Sequence, residues 1–182
     1  SSLAMGTSNF TIDFWLKINT HTNADQYLFD LGNNEIWAKI QPNGSGLYYW
    51  FDGYAISWTQ ALELDRWYHI RFTRFGSKHY MFVDGDHRGT LTINRSIGGN
   101  TINLNSDGYG NAVGMTDGNI SDFRIIKGTA LNTTTASFTP PGALTAVSGT
   151  VFLTAQNSSG GFVDNGPNSI TLASSGTVTR QG

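Results

Sequence analysis

Phe10-Thr11-Ile12-Asp13-Phe14-Trp15-Leu16-Lys17-Ile18-Asn19 decides the fold. Phe10, Ile12, Phe14, Leu16 and Ile18 share one side, and Thr11, Asp13, Trp15 and Lys17 share the other. A strict period of two predicts a strand with one face buried. The pattern returns in Arg66–Arg74, where Tyr68, Ile70 and Phe72 oppose Trp67, His69, Arg71 and Thr73. It returns again in Glu35–Ile40, with Ile36, Ala38 and Ile40 inward and Glu35, Trp37 and Lys39 outward. In Leu47–Phe51, Tyr48 and Trp50 fall opposite Leu47, Tyr49 and Phe51. Tyr54, Ile56 and Trp58 run in phase within Tyr54–Thr59.

Outward from these segments, shorter strands are predicted at Gln26–Leu31, His79–Val83, Gly89–Ile93, Ile102–Leu104 and Asn119–Lys127. Thr150–Ala155, Ser169–Ala173 and Gly176–Arg180 are read as closing strands. Asp52-Gly53 and Asp84-Gly85 are hairpin signals. Thr129–Pro141 is irregular, because Pro140-Pro141 cannot join a hydrogen-bonded ladder. Turn signals at roughly 8–12-residue spacing, with no helical period, predict an all-β chain. The architecture expected is an antiparallel two-sheet β-sandwich of the jelly-roll kind, with residues 1–182 as one domain.

Composition narrows the function. The net charge of −2, from 11 basic and 13 acidic residues, leaves no dense cationic face for phosphate, so nucleic acid is excluded as the main partner. The absence of Cys excludes disulfides, thiolate zinc sites and Cys nucleophiles. No apolar run reaches the ~18–20 residues of a membrane span, so no membrane insertion is expected.

Three motifs carry a family resemblance: Phe10-Thr11-Ile12-Asp13-Phe14-Trp15, Arg66-Trp67-Tyr68-His69-Ile70 followed by Val83-Asp84-Gly85, and Gly118-Asn119-Ile120-Ser121-Asp122-Phe123-Arg124-Ile125. In this order they resemble laminin-G-like jelly rolls of the concanavalin-A-like lectin/glucanase superfamily. Arg124–Leu131, Phe138-Thr139-Pro140-Pro141 and Thr150–Thr154 further resemble modules of tailed-phage virion proteins, marine ones especially. Asp164–Thr171 is similar to the lead-in of a following module there. Few residues precede Phe10, so residues 150–182 are expected to pair into the sandwich where an opening strand would otherwise sit. The resemblance implies a virion or extracellular location. It also marks Trp15, Trp67 and His69 as structural.

Catalysis is not expected. Jelly-roll glucanases of this superfamily place carboxylates on alternate positions of one strand, and retaining chemistry needs them about 5–5.5 Å apart. Glu63-Leu64-Asp65 is the nearest approach, and Trp67 and Tyr68 stand where a further Glu belongs; Glu63 and Asp65 read as a solvated loop. No Gly-x-Ser-x-Gly elbow occurs. His21, His69, His79 and His87 lack metal-ligand spacing, and His79 and His87 read as solvated residues flanking a hairpin.

The remaining candidate is a glycan-binding face, since aromatic rings offer sugars a broad contact at low entropic cost. Trp37, Tyr48 and Trp50 occupy the non-core sides of adjacent strands, with Lys39 and Asp52 as polar contacts. Tyr54 and Trp58 are included, although Ile56 shares their side. The partner is thus a carbohydrate or, alternatively, a neighbouring virion subunit in an oligomeric assembly; plain packing of the rings beneath loops is the third reading. No cofactor is required. Calcium is a candidate, through Asp84, Asp86, Asp107, Asp117 and Asp164, each of which equally suits an Asx turn.

Overall fold

A computed structural model describes residues 3–107, 114–115, 117–156 and 163–173. The strands are β1 (Phe10–Ile18), β2 (Gln26–Leu31), β3 (Ile36–Ile40), β4 (Leu47–Phe51), β5 (Tyr54–Trp58), β6 (Trp67–Phe75), β7 (Lys78–Val83), β8 (Asp86–Thr92), β9 (Ile102–Leu104), β10 (Gly118–Lys127) and β11 (Thr150–Thr154). They form two antiparallel sheets, ordered β11-β10-β1-β6-β7-β8 and β5-β4-β3-β2-β9. This is the expected jelly-roll sandwich. Both Asp-Gly hairpins turn with positive φ at the two central residues, 41° and 94° at Asp52-Gly53 and 53° and 82° at Asp84-Gly85, as tight primed turns require.

The alternating segments bury the sides assigned to them. Phe10, Ile12, Phe14, Leu16 and Ile18 are all fully buried. Rings from the two sheets interlock between the layers: Tyr49 of β4 stacks on Phe72 of β6 with centroids 4.4 Å apart, and Phe14 of β1 meets Phe29 of β2 at 6.0 Å. Each such side chain contributes roughly 1.5–3 kcal/mol by leaving water.

The outer face of β1 is also buried over its middle, which alternation alone does not predict. Thr11 and Asp13 are wholly inaccessible. The cause is the stretch 129–145, which crosses the six-stranded sheet as a strap. Trp15 donates through Nε1 to the Gly142 carbonyl (3.0 Å), the Tyr80 hydroxyl donates to the Thr133 carbonyl (3.1 Å), and Asp122 accepts from the Leu144 N–H (3.3 Å). Gly85 lets the strap approach, since a β-carbon there would lie 1.8 Å from the Phe138 carbonyl oxygen.

Under the strap lies an ion triple. Asp13 faces Arg71 across β6 and Arg124 across β10. Arg71 donates to its Oδ2 from Nε and Nη2 at 3.2 and 2.9 Å; Arg124 donates to Oδ1 and Oδ2 at 3.0 and 2.8 Å. Each arginine then reaches the strap, Arg71 to the Asn132 side chain and Arg124 to the Thr145 carbonyl. Burial by itself would raise the Asp13 pKa, but the two guanidiniums overcome it and hold the carboxyl at about 2. His69 Nε2 stands 3.8 Å from Oδ2, outside hydrogen-bond range. His69 is buried, as its structural assignment implies.

Two expectations need correction. His79 is fully buried, not solvated: it points inward from β7, between Phe10, Phe51 and Tyr49. Ser169–Ala173 is not a strand. β11 does pair with β10 at the sheet edge, but beyond it the edge is met by a turn: Asp164 accepts from the Leu153, Gly166 and Ile170 N–H groups. Gly176–Arg180 lies outside the described residues. Among the described residues no helix is long and apolar enough to cross a membrane.

Acid should act on this fold in two stages. Burial, then the Arg74 charge, lowers the His79 pKa from 6.5 to about 3. The unfolded chain therefore gains a proton that the folded one refuses, and stability should fall as pH drops from about 6.5 towards 3. Asp13 contributes fully above its ordinary pKa near 3.8 and loses that contribution as pH falls through about 2, on the order of 2 kcal/mol. Urea melts across pH should show the first stage flattened in His79→Leu. Asp13→Asn should cost about 3–5 kcal/mol at neutral pH, because two buried cations lose their partner.

Candidate ligand-binding face

The outer face of the five-stranded sheet carries a row of rings. In register, Trp37 of β3 faces Trp50 of β4, and Lys39 faces Tyr48 on one side and Tyr27 of β2 on the other. Paired residues of an antiparallel ladder project to the same side, so these five side chains share one surface. All are partly exposed. Trp37 stacks on Trp50 with centroids 5.3 Å apart and planes 10° from parallel, and on Tyr48 at 5.6 Å and 23°; Tyr27 leans on Trp37 at 5.2 Å. These are offset stacks, so Trp37 shares its faces with its neighbours, and a ligand would meet the remaining faces and the ring edges.

Lys39 sits among the rings. Its ammonium lies 5.8, 5.5 and 5.3 Å from the centroids of Tyr27, Trp37 and Tyr48 and donates to Asp25 Oδ2 at 2.7 Å. Burial, followed by the Asp25, Asp107 and Asp30 carboxylates, pushes the Tyr27 phenol pKa up. The arrangement combines apolar ring surface with a fixed donor and a fixed acceptor, the chemistry a polyhydroxylated ring can use.

Of the residues assigned to this face from sequence, Trp37, Lys39, Tyr48 and Trp50 are brought together. Asp52 lies in the β4–β5 turn beside Arg95, at 3.6 Å. Tyr54 and Trp58 are not on the face. They pair with Phe51 and Leu47 and so take the inward phase. Trp58 packs against the core beneath Arg88 of the other sheet, whose guanidinium is 5.1 Å above it. Gly89 permits that close approach, because a β-carbon there would meet Ile56 at 2.3 Å. Tyr54 sits at the margin under Arg95. Trp67, assigned as structural, is 42% exposed and pairs with Lys17 of the adjacent strand β1 within the six-stranded sheet.

Tyr27 and Asp25 were not legible as members of the face. Simple alternation over Gln26–Leu31 groups Tyr27 with Phe29 and Leu31, on the core side. A bulge between Tyr27 and Phe29 buries both Leu28 and Phe29 and turns Tyr27 outward.

The carboxylates considered for other chemistry are engaged elsewhere. Glu63 and Asp65 are exposed on the turn before β6. Asp84 accepts from the His69 N–H and from Arg66, Asp117 from Asn19 and Thr20, and Asp86 from Arg88. Among the described residues no three His, Asp or Glu gather into a metal-holding group; calcium wants six to eight oxygens, and these carboxylates are scattered. A shallow cup lined by Val163, Asp164, Ile170 and Leu172 belongs to the turn beside β11, not to the aromatic face.

Two stacked antiparallel sheets with one strapped and one ring-bearing outer face agree with the sequence comparison. Residues 1–137 match the Laminin_G_3 family, described as the concanavalin A-like lectin/glucanases superfamily, and the chain belongs to it. No curated protein matches it in sequence. Among solved structures it is similar to a candidate carbohydrate binding protein from Bacteroides ovatus, with TM-score 0.62 and 16% identity over 88% of this chain and 50% of that one. It is also similar to a heptameric SAP-like pentraxin from Limulus polyphemus, with TM-score 0.53 and 18% identity over 71% of this chain and 68% of that one. Botulinum neurotoxin type C, whose cell entry depends on two ganglioside molecules, matches with TM-score 0.50 and 16% identity over 71% of this chain and 34% of that one. At these identities the likeness is one of fold. The chain spans half the length of the Bacteroides ovatus protein.

The inward phase of Trp58 has a measurable consequence. Trp58→Ala should lower the unfolding free energy by about 2 kcal/mol in urea melts, short of the roughly 3–5 kcal/mol of a fully buried ring. It should leave the outer face of the five-stranded sheet unaltered.

Proposed function

We propose that this chain is a non-catalytic glycan-binding module of an extracellular or virion protein, with residues 1–182 as one module and host surface glycan as its target. The observation that carries the reading is the contiguous row of Tyr27, Trp37, Tyr48 and Trp50 around the Lys39–Asp25 pair. The opposite outer face is occupied over its middle by the strap, which leaves the five-stranded sheet as the side for a ligand. The Bacteroides ovatus neighbour, described as carbohydrate binding, supports the same ligand class. The exposed position of Glu63 and Asp65 supports a binding role over hydrolysis, since a glycosidase holds its two carboxyl groups across a bound sugar.

The virion setting rests on the resemblance of Arg124–Leu131 and Thr150–Thr154 to phage modules. A neighbouring virion subunit would use the same rings, and competition by free sugar separates that reading from this one. A glycan array probed with wild type and with Trp37→Ala/Trp50→Ala is the direct test. The double variant should keep its circular dichroism spectrum and lose at least about tenfold in affinity, roughly 1.4 kcal/mol. Unchanged binding by the folded variant would remove the proposal.

A further inference from the structure

We propose that the aromatic face selects neutral saccharides and rejects those bearing sialyl, uronyl or sulfate groups; this rests on the glycan-binding reading above. An anionic sugar is held most strongly by a cation free to pair with it. Lys39 is the one Lys or Arg in the five strands of this sheet. Its charge is already spent. The ammonium is bound to Asp25 at 2.7 Å and covered by three rings, and its side chain keeps only 17% of its accessible surface. An acidic ligand would have to displace a carboxylate held in place on the same chain.

The surroundings reinforce the exclusion. Asp30 is buried beside the row, opposite Trp37, and accepts from the Asn34 N–H with both oxygens at 2.9 Å. Glu35 holds the Gly98 and Gly99 N–H groups. Asp107 contributes to the negative field at Tyr27. The flanking cations are also engaged, Arg95 beside Asp52 and Arg88 beside Asp86. Thus, among the described residues, the face offers an incoming carboxylate or sulfate repulsion and no uncommitted cation, whereas a neutral hydroxyl can donate to Asp25 or accept from Lys39 without breaking the pair. Hydrogen bonds to charged groups of this kind are the stronger ones.

The test uses matched oligosaccharides with and without an acidic substituent, on an array and then by calorimetry. Wild type should bind a neutral glycan at least about tenfold more tightly than its acid-bearing partner. Affinity for the neutral form should be nearly independent of salt, because no net charge is neutralised. Asp25→Asn frees the ammonium and should narrow or reverse the preference, while the salt series on wild type reads the same property without any variant. Equal or tighter binding of the acidic forms, abolished in Trp37→Ala/Trp50→Ala, would overturn the selectivity and leave the glycan-binding reading standing. If neither form binds, or if binding survives the double Trp variant, the reading of the face itself fails and the selectivity fails with it.

Discussion

A single carboxylate organises this sandwich. Asp13 lies at the centre of three neighbouring strands, with an arginine directly across from it on each side. Removing such a group from water is expensive, and the cost is met only when geometry is close and the remaining donors are satisfied. Here the two guanidiniums supply the first condition and the strap supplies the second, through Asn132 and the Thr145 carbonyl. The same contacts that neutralise the charge therefore fix a loop of irregular, proline-containing chain across one sheet.

That closure makes the two sides of the protein unequal. The six-stranded sheet spends the middle of its outer surface on internal structure. The five-stranded sheet keeps its rings partly exposed on the other side, braced by mutual stacking and by Lys39. Cross-strand pairing gives those rings a fixed spacing with little freedom left to lose, the condition under which an aromatic surface binds economically. Which outer face is left open as the candidate site is thus a consequence of where the strap is anchored as much as of where the tryptophans lie.

Most of the strand framework was legible from side-chain phase. β2, β4 and β9 begin and end where the residue pattern places them, and β1 and β6 are off by one residue. Phase also placed Trp37, Lys39, Tyr48 and Trp50 together, because within one regular strand the alternation is rigid. It does not support including Tyr54 and Trp58, which share the phase of Ile56 and follow it inward. It failed at Tyr27, where one extra residue in β2 reverses the two sides. It failed again at His79, because an imidazole can be hidden as a neutral group among Phe10, Phe51 and Tyr49, and polarity alone does not mark it as exposed.

Local order in the chain determined the strands, the hairpins and the identity of the core, since those depend on neighbours two residues apart and on turn residues that tolerate positive φ. Contacts between residues more than a hundred positions apart decided the rest. Asp13 meets Arg124, and Thr11 accepts the Leu131 N–H, only once β1 and β10 are paired and the strap is laid over them; no spacing in the sequence encodes which loop will lie over which face. The candidate site depends on shorter-range tertiary pairing, because Asp25 and Tyr27 join Lys39 only when the bulge in β2 and its register with β3 bring them to one surface.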